Sequence, residues 1–337
     1  MKTNQDGFTM VELLVTLAMT AILTASVYGI FGVQAQRKAV EQKSIEMQQN
    51  ARVAIDAIAR DMRMAGFWGC MTPGNFKNTV RGQESDIFLQ MNPVLGLNNL
   101  TSDNPYGAKA NTDLLVLSYA NGDSGIPVDP PYMNTSSADI HLASAGDLQA
   151  GDVVLVTDCA FTSVFQITHI NDSGRSCVHS SNQGQGTPNP GNSEKDLGHV
   201  YGPGSYVFPM GAKYYWVNPQ NELKASMGGF DTSTNTFKND FNVQTIAENI
   251  EDLQLQYGVD SDNDGRPDQW YAGSNVPNWS NVIAVQIFLL ARSAKMEKDY
   301  NNAHVYSFAD RPAPHSYNDQ YHRLLLQRSV TLRNRTM

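Results

Sequence analysis

Residues 7–36, GFTMVELLVTLAMTAILTASVYGIFGVQAQ, decide how the rest of the chain is read. From Leu13 to Gln36, 24 residues pass without a charge, long enough to cross a bilayer as one helix. An ordinary secretory signal would have a basic start, a shorter apolar region and a small-x-small cleavage site after it. Here the leader before Gly7 is short, and the one charge, Glu12, sits near the start of the apolar run. Lys2 on one side and Arg37 and Lys38 on the other do not set the orientation, because a long C-terminal part translocates largely regardless of such charges.

The helical pattern continues past the apolar run. Residues 37–66 have no Pro and no Gly before Gly66, and Ile55, Ile58, Met62 and Ala65 recur at spacings of three and four, the period of one helix face. This predicts one helix over about residues 9–65, roughly 85 Å long at 1.5 Å per residue, stopped by Gly66 and softest at Gly29 and Gly32.

From Phe67 the period becomes two. Strand-like runs at Asp86–Met91, Asp113–Tyr119, Asp139–Leu142, Asp152–Thr157, Val164–Ile170, Tyr206–Phe208 and Ala212–Val217 alternate with turn clusters of Asn, Asp, Gly, Ser and Pro. Leu253–Val259, Val282–Leu290 and Leu324–Leu332 follow, with a helix-like interval near Thr245–Ile250. Ser180–Asp196 reads as a long surface loop, and no internal repeat is present. The organisation is a leader at 1–7, a membrane or filament-core half-helix at 8–36, an amphipathic half-helix at 37–66 and a β-rich head at 67–337. The fold class is α+β, a long N-terminal helix packed on an antiparallel head.

The 337 residues are 41% hydrophobic and 17% charged, with a mean hydropathy of -0.36, too polar for a multi-span membrane protein. The net charge of -9 resides in the head, where 27 acids face 17 bases, and argues against nucleic-acid binding. The sequence has no G-x-S-x-G elbow, Walker A loop or Rossmann glycine run, and its seven His (141, 169, 179, 199, 304, 315 and 322) form no H-x-x-x-H or H-E-x-x-H pair. The expectation is therefore no catalytic residues and no enzyme. His169 in its strand, and the Tyr214-Tyr215-Trp216 run, read as parts of a β core.

Glu12 is the one charge within the apolar segment, and such a carboxylate normally has a partner. Thr9-Met10-Val11-Glu12 fits the capping box, in which Glu12 satisfies a free N–H at the helix start. Cleavage at Gly7–Phe8 would create an ammonium at Phe8, which on a neighbouring helix could neutralise Glu12 in a low-dielectric bundle. Both roles are open to the same carboxylate.

The run Gly7-Phe8-Thr9-Met10-Val11-Glu12-Leu13 resembles the class III prepilin signal. That resemblance implies cleavage after Gly7 and N-methylation of Phe8 by a prepilin peptidase, with Glu12 required for subunit incorporation. Gln48–Arg52, Ile58–Phe67, Asp158-Cys159, Tyr257–Asp260 and Arg328–Arg335 are similar to the PilW-type minor pilins. The implied function is a structural subunit that initiates type IV pilus assembly at the tip, in a filament for motility, adhesion or DNA uptake. Its implied partners are other minor and major pilins and the peptidase. The implied location is single-pass in the inner membrane with a periplasmic head, then the filament. The J-class minor pseudopilins of type II secretion share the signal, but their heads are usually shorter than 67–337. A membrane-anchored, calcium-dependent binding module is a further alternative.

Asp260-Ser261-Asp262-Asn263-Asp264-Gly265-Arg266-Pro267-Asp268 places oxygen donors at alternate positions, Gly at the sixth, a backbone carbonyl at Arg266 and Asp268 at the ninth. Position 12 is Tyr271 rather than Glu, so the loop is not an EF-hand, yet its four carboxylates favour one Ca²⁺ over a plain solvated turn. Cys70, Cys159 and Cys177 fit one disulfide plus a free thiol in an exported head. Cys159–Cys177 would close a short loop and Cys70–Cys159 would tie the helix exit to the sheet; the family resemblance favours Cys70–Cys159. The closing Arg323, Arg328, Arg333 and Arg335 are expected to pair with the acidic head.

Overall fold

The computed structural model describes residues 9–70, 75–81, 92–122, 125–171, 175–181, 190–231, 236–238, 243–311 and 315–334. Helix α1 spans Met10–Met62, 53 residues, without a break at Gly29 or Gly32. Its first part, Met10–Gly32, has a mean hydropathy of 2.0, is long and apolar enough to cross a membrane, and packs against nothing in the fold. The polar residues there satisfy themselves: the hydroxyls of Thr16, Thr20, Thr24 and Ser26 donate to the carbonyls of Glu12, Thr16, Thr20 and Ile22 at 2.6–2.9 Å. Back-bonding of this kind leaves no unpaired hydroxyl to face lipid.

The later part of α1 is amphipathic. Met47, Ala51, Ala54, Ile55, Ile58, Ala59, Met62 and Ala65 are buried, so the face read from Ile55, Ile58, Met62 and Ala65 is the packed one. The helix ends at Met62, three residues earlier than the periodicity suggests, and residues 63–66 form a turn. Gly66 takes a φ of +74° and its N–H donates to Ser118 O at 2.9 Å. A Cβ there would meet Pro93 Cγ at 2.9 Å, so the exit needs glycine on both counts.

A four-stranded antiparallel sheet lies against α1, in the order Gln269–Ala272, Ile250–Val259, Val282–Arg292, Arg323–Thr331. Leu253, Leu255, Ile287, Leu289 and Val330 on its inner face meet the buried stripe of α1. The second layer is a larger sheet centred on Tyr206–Val217, which pairs with Val153–Thr157 through its first residues and with Leu114–Ala120 and Glu222–Asp231 further on. Leu115, Leu117, Tyr215, Leu223 and Ala225 of that layer close the same core. All pairings in these sheets are antiparallel except Phe76–Asn78 with Thr162–Gln166.

Three sequence expectations change. Thr245–Ile250 is not helical: Gln244–Glu248 is a strand paired with Glu222–Asp231, in keeping with the β-branched Thr245 and Ile246. Glu222–Asp231 itself escaped detection because Ala225-Ser226-Met227-Gly228-Gly229 carries little alternation; Gly228 is there because a Cβ would lie 2.1 Å from Tyr214 Cε2. Tyr206–Phe208 and Ala212–Val217 are one strand of 12 residues. The Asp86–Met91 run lies outside the described residues, as does 182–189 of the expected loop.

Candidate functional site

The start of α1 is the first site. Thr9 is extended (φ -80°, ψ 153°), its hydroxyl accepts from Glu12 N at 3.3 Å, and Glu12 Oε2 accepts from Thr9 N at 2.9 Å. Both halves of the capping box are formed, and the Thr9 hydroxyl also lies 2.9 Å from Glu12 Oε2. Glu12 is thereby held at the start of a helix whose next turns are largely apolar. Gly7 and Phe8, the expected cleavage and methylation positions, lie outside the described residues.

The second feature joins α1 to the head. Asp61, in the last turn, receives the Tyr215 hydroxyl and Lys213 Nζ, both at 2.5 Å. Burial pushes the Tyr215 phenol well above its ordinary value, aided by the Asp61 carboxylate, so the hydroxyl remains a neutral donor. Tyr214, Tyr215 and Trp216 are all buried, as expected for a core strand. Immediately after the turn, Cys70 is bonded to Cys159, 89 positions away, which ties the helix exit to the end of Val153–Thr157. Cys159 adopts a φ of +69° in a tight turn where Asp158 Oδ1 accepts from Ala160 N and Phe161 N. Cys177 is free and buried, and burial pushes its thiol up to about 12, a poor setting for reactivity.

The acidic loop leaves Ile250–Val259 and returns into Gln269–Ala272, closed by Asp268 N donating to Val259 O at 2.9 Å. Asp260 is buried and organises the turn: its Oδ1 accepts from Asn263 N at 2.7 Å and its Oδ2 from Gly265 N at 2.9 Å. Gly265 sits at φ +82°, which explains the glycine. Carboxylate oxygens of Asp260, Asp262 and Asp268 come within 4.8 Å of one another, so these three could hold a metal ion. Asp264 stands apart from that trio; its Oδ1 accepts from Arg266 N at 2.8 Å.

The closing arginines act as clamps. The side chain of Arg323 is buried between Glu251 (Nε–Oε2 2.5 Å) and Asp319 (Nη1–Oδ1 2.6 Å), over the ring of Tyr317. Arg328 reaches across to Asp56 on α1. Arg335 lies outside the described residues.

Sequence reading missed a buried acidic pair beside these clamps. Asp113 accepts from Asn99 N and Leu255 N, each at 2.8 Å, and Asp252 pairs with Arg311 at 2.6 Å. Burial pushes Asp113 up to about 8 against the pull of its two N–H donors, and Asp252 up to about 6 against the Arg311 guanidinium. No local pattern marks either residue, since their partners lie far along the chain.

A long capped helix with an unpacked apolar first half and a β-rich head on its second half defines a pilin-like α+β subunit. Residues 2–28 match the family described as Prokaryotic N-terminal methylation motif, and residues 218–334 match that described as Type IV Pilus-assembly protein W. Together the two matches, at the N-terminus and over the last third of the chain, support a type IV pilus-related pilin with a PilW-like C-terminal region. No curated protein and no solved structure matches it. The apolar helix and the prepilin motif fit anchoring in the inner membrane and residence in a pilus.

Proposed function

We propose that the chain is a minor pilin that helps initiate pilus assembly, with its head in the periplasm before assembly and near the filament tip afterwards. The observation that carries this reading is the unpacked apolar half of α1 with Glu12 fixed at its start. Once Gly7–Phe8 is cut, the new Phe8 ammonium on one helix neutralises Glu12 on its neighbour, while Met10–Gly32 packs among other pilin helices. Several kcal/mol rest on that pairing, the cost of leaving a charge unpaired in a dry bundle. The chemistry is assembly, with the prepilin peptidase and other minor and major pilins as partners and no reaction catalysed by this chain. The same acidic loop takes one Ca²⁺ through Asp260, Asp262 and Asp268, which would fasten the turn between two strands of the sheet on α1.

Deletion of the chain with two readouts tests the assignment. Loss of surface pili with unchanged exoprotein release is expected. Unchanged pili with lost exoprotein release would instead make it a J-class pseudopilin of type II secretion. Normal pili and normal release would overturn both.

A further inference from the structure

The four-stranded sheet has one long bare edge. Among the described residues, the outermost strands elsewhere are short: Phe76–Asn78, Val94–Leu97, Thr236–Lys238, Gln244–Glu248 and Gln269–Ala272 span three to five residues. Arg323–Thr331 runs nine, pairs only with Val282–Arg292, and keeps that register without a bulge. Exposed edges are normally blunted by short length, Pro, Lys or a bulge, since free N–H and C=O groups recruit another strand. This one is long, has no Pro, Lys or bulge, and its two charges, Arg323 and Arg328, are taken up in ion pairs with Glu251 and Asp56.

The outward groups can be assigned. Leu332 N donates to Ile283 O and Ser293 N to His322 O, both at 2.8 Å, at the two ends of the ladder. The antiparallel alternation between them turns Leu324, Leu326, Arg328 and Val330 toward Val282–Arg292. The backbone groups of Leu325, Gln327, Ser329 and Thr331 therefore point away, and Gln327, Ser329 and Thr331 are exposed.

Beside the start of this edge lies a groove of about 510 Å³ lined by Tyr300, His304, Val305, Tyr306 and Leu325. Its lining sets aromatic and aliphatic side chains, Leu324 among them, beside the polar His304, Ser307 and Arg323, the last already held by Glu251 and Asp319. A free edge supplies main-chain affinity and an adjoining pocket supplies side-chain selection, the two elements of strand-addition recognition. Arg328 on the edge is paired with Asp56 on α1, and Val53, one turn earlier, is 54% exposed. The edge is thus continuous with the open face of the assembly helix.

We propose that the outer edge of Arg323–Thr331 receives an extended segment from the head of a neighbouring pilin-type subunit as a fifth strand, with an apolar or aromatic side chain of that segment in the groove of Tyr300, Val305, Tyr306 and Leu325. The inference rests on the pilus-subunit reading, which brings such a neighbour alongside α1.

The test uses the full chain in cells. Gln327→Pro and Ser329→Pro each delete an outward N–H without touching the ladder to Val282–Arg292, and Gln327→Ala and Ser329→Ala retain it. An intact Cys70–Cys159 bond and wild-type protein level report that each variant is folded. The Pro variants should lower surface pili at least tenfold while the Ala variants behave as wild type. Independently, Ser329→Cys with a short bismaleimide should give a cross-linked peptide from a different pilin-type subunit. Wild-type piliation by both folded Pro variants would overturn the proposal. So would a Ser329→Cys product that contains only a second copy of this chain, or no product at all. If deletion of the whole chain leaves piliation and secretion untouched, the pilus reading fails, and the cross-link alone then decides the edge.

Discussion

The Tyr215 hydroxyl donates to Asp61 Oδ2 over 2.5 Å, joining the central strand of the larger sheet to the last turn of α1. Lys213 reaches the same carboxylate from two residues away, so one acid on the helix is held by two groups on one strand. Tyr215→Phe removes one donor and leaves the Lys213 pair. It should cost about 1.5 kcal/mol, the lower end for a hydrogen bond to a charged group because Lys213 still pairs the carboxylate, whereas Ile58→Ala in the adjacent fully buried stripe should cost about 2–5 kcal/mol. Chemical denaturation of the two variants measures both, and equal losses would deny the ranking.

Glu12 caps the helix and, in the proposed assembly, also supplies a charge to a neighbouring subunit. Glu12→Gln retains an acceptor for Thr9 N and loses the charge, while Glu12→Ala loses both. Both variants should remain membrane-anchored and processed, and both should fail to piliate. Full piliation by Glu12→Gln would reduce Glu12 to a helix cap.

Stability should fall as pH rises from about 4 to about 8. Asp113 and Asp252 are raised in the folded state, to about 8 and about 6, so these two groups bind more protons in the folded than in the unfolded chain across that window. Each group penalises folding progressively from its unfolded pKa upward, and the penalty is complete above its folded pKa. Burial of His179, which holds its imidazole below the ordinary value, opposes them in part below about pH 6.5. Melting temperature followed against pH should show this slope, and Asp113→Asn should flatten its upper part, between pH 6 and 8. An unchanged slope would mean that Asp113 is ionised throughout.

Calcium should raise the melting temperature, and chelator should reverse the gain. Asp262→Ala and Asp268→Ala should each abolish it. Asp264→Ala separates the spacing of the motif from its geometry: D-x-D-x-D counts Asp264 among the ligands, yet its carboxylate is turned to Arg266 N. If the trio of Asp260, Asp262 and Asp268 is the site, Asp264→Ala should retain most of the calcium shift and lose only the turn contact. Loss of the whole shift in Asp264→Ala would restore it as a ligand, and no calcium shift in the unsubstituted chain would remove the site.

Local rules served wherever the deciding partners lie close in sequence. The capping box spans four residues, the buried stripe of α1 recurs every three or four, and the Asp260–Asp268 turn is closed by the Asp260 carboxylate accepting from N–H groups a few residues on. The strand Glu222–Asp231 was invisible because its small residues are chosen by contact with Tyr214 across the sheet, a neighbour that no window reveals. Gln244–Glu248 looked helical for the same reason, since its state is set by pairing with that hidden strand.

By itself the amino-acid order determined the class of this molecule: a charge-free run long enough for a bilayer, a carboxylate at its head, and a period that switches from 3.6 to 2 after Gly66. These are one-dimensional properties, because a helix and a capped turn satisfy their backbone within a few residues. Tertiary structure alone decided that Arg328 meets Asp56, that Asp113 is buried under two N–H donors, and that Arg323–Thr331 ends its sheet with one side bare. Burial and edge position depend on which distant segments arrive, and the free energy of a charge or an unpaired backbone group depends on them in turn.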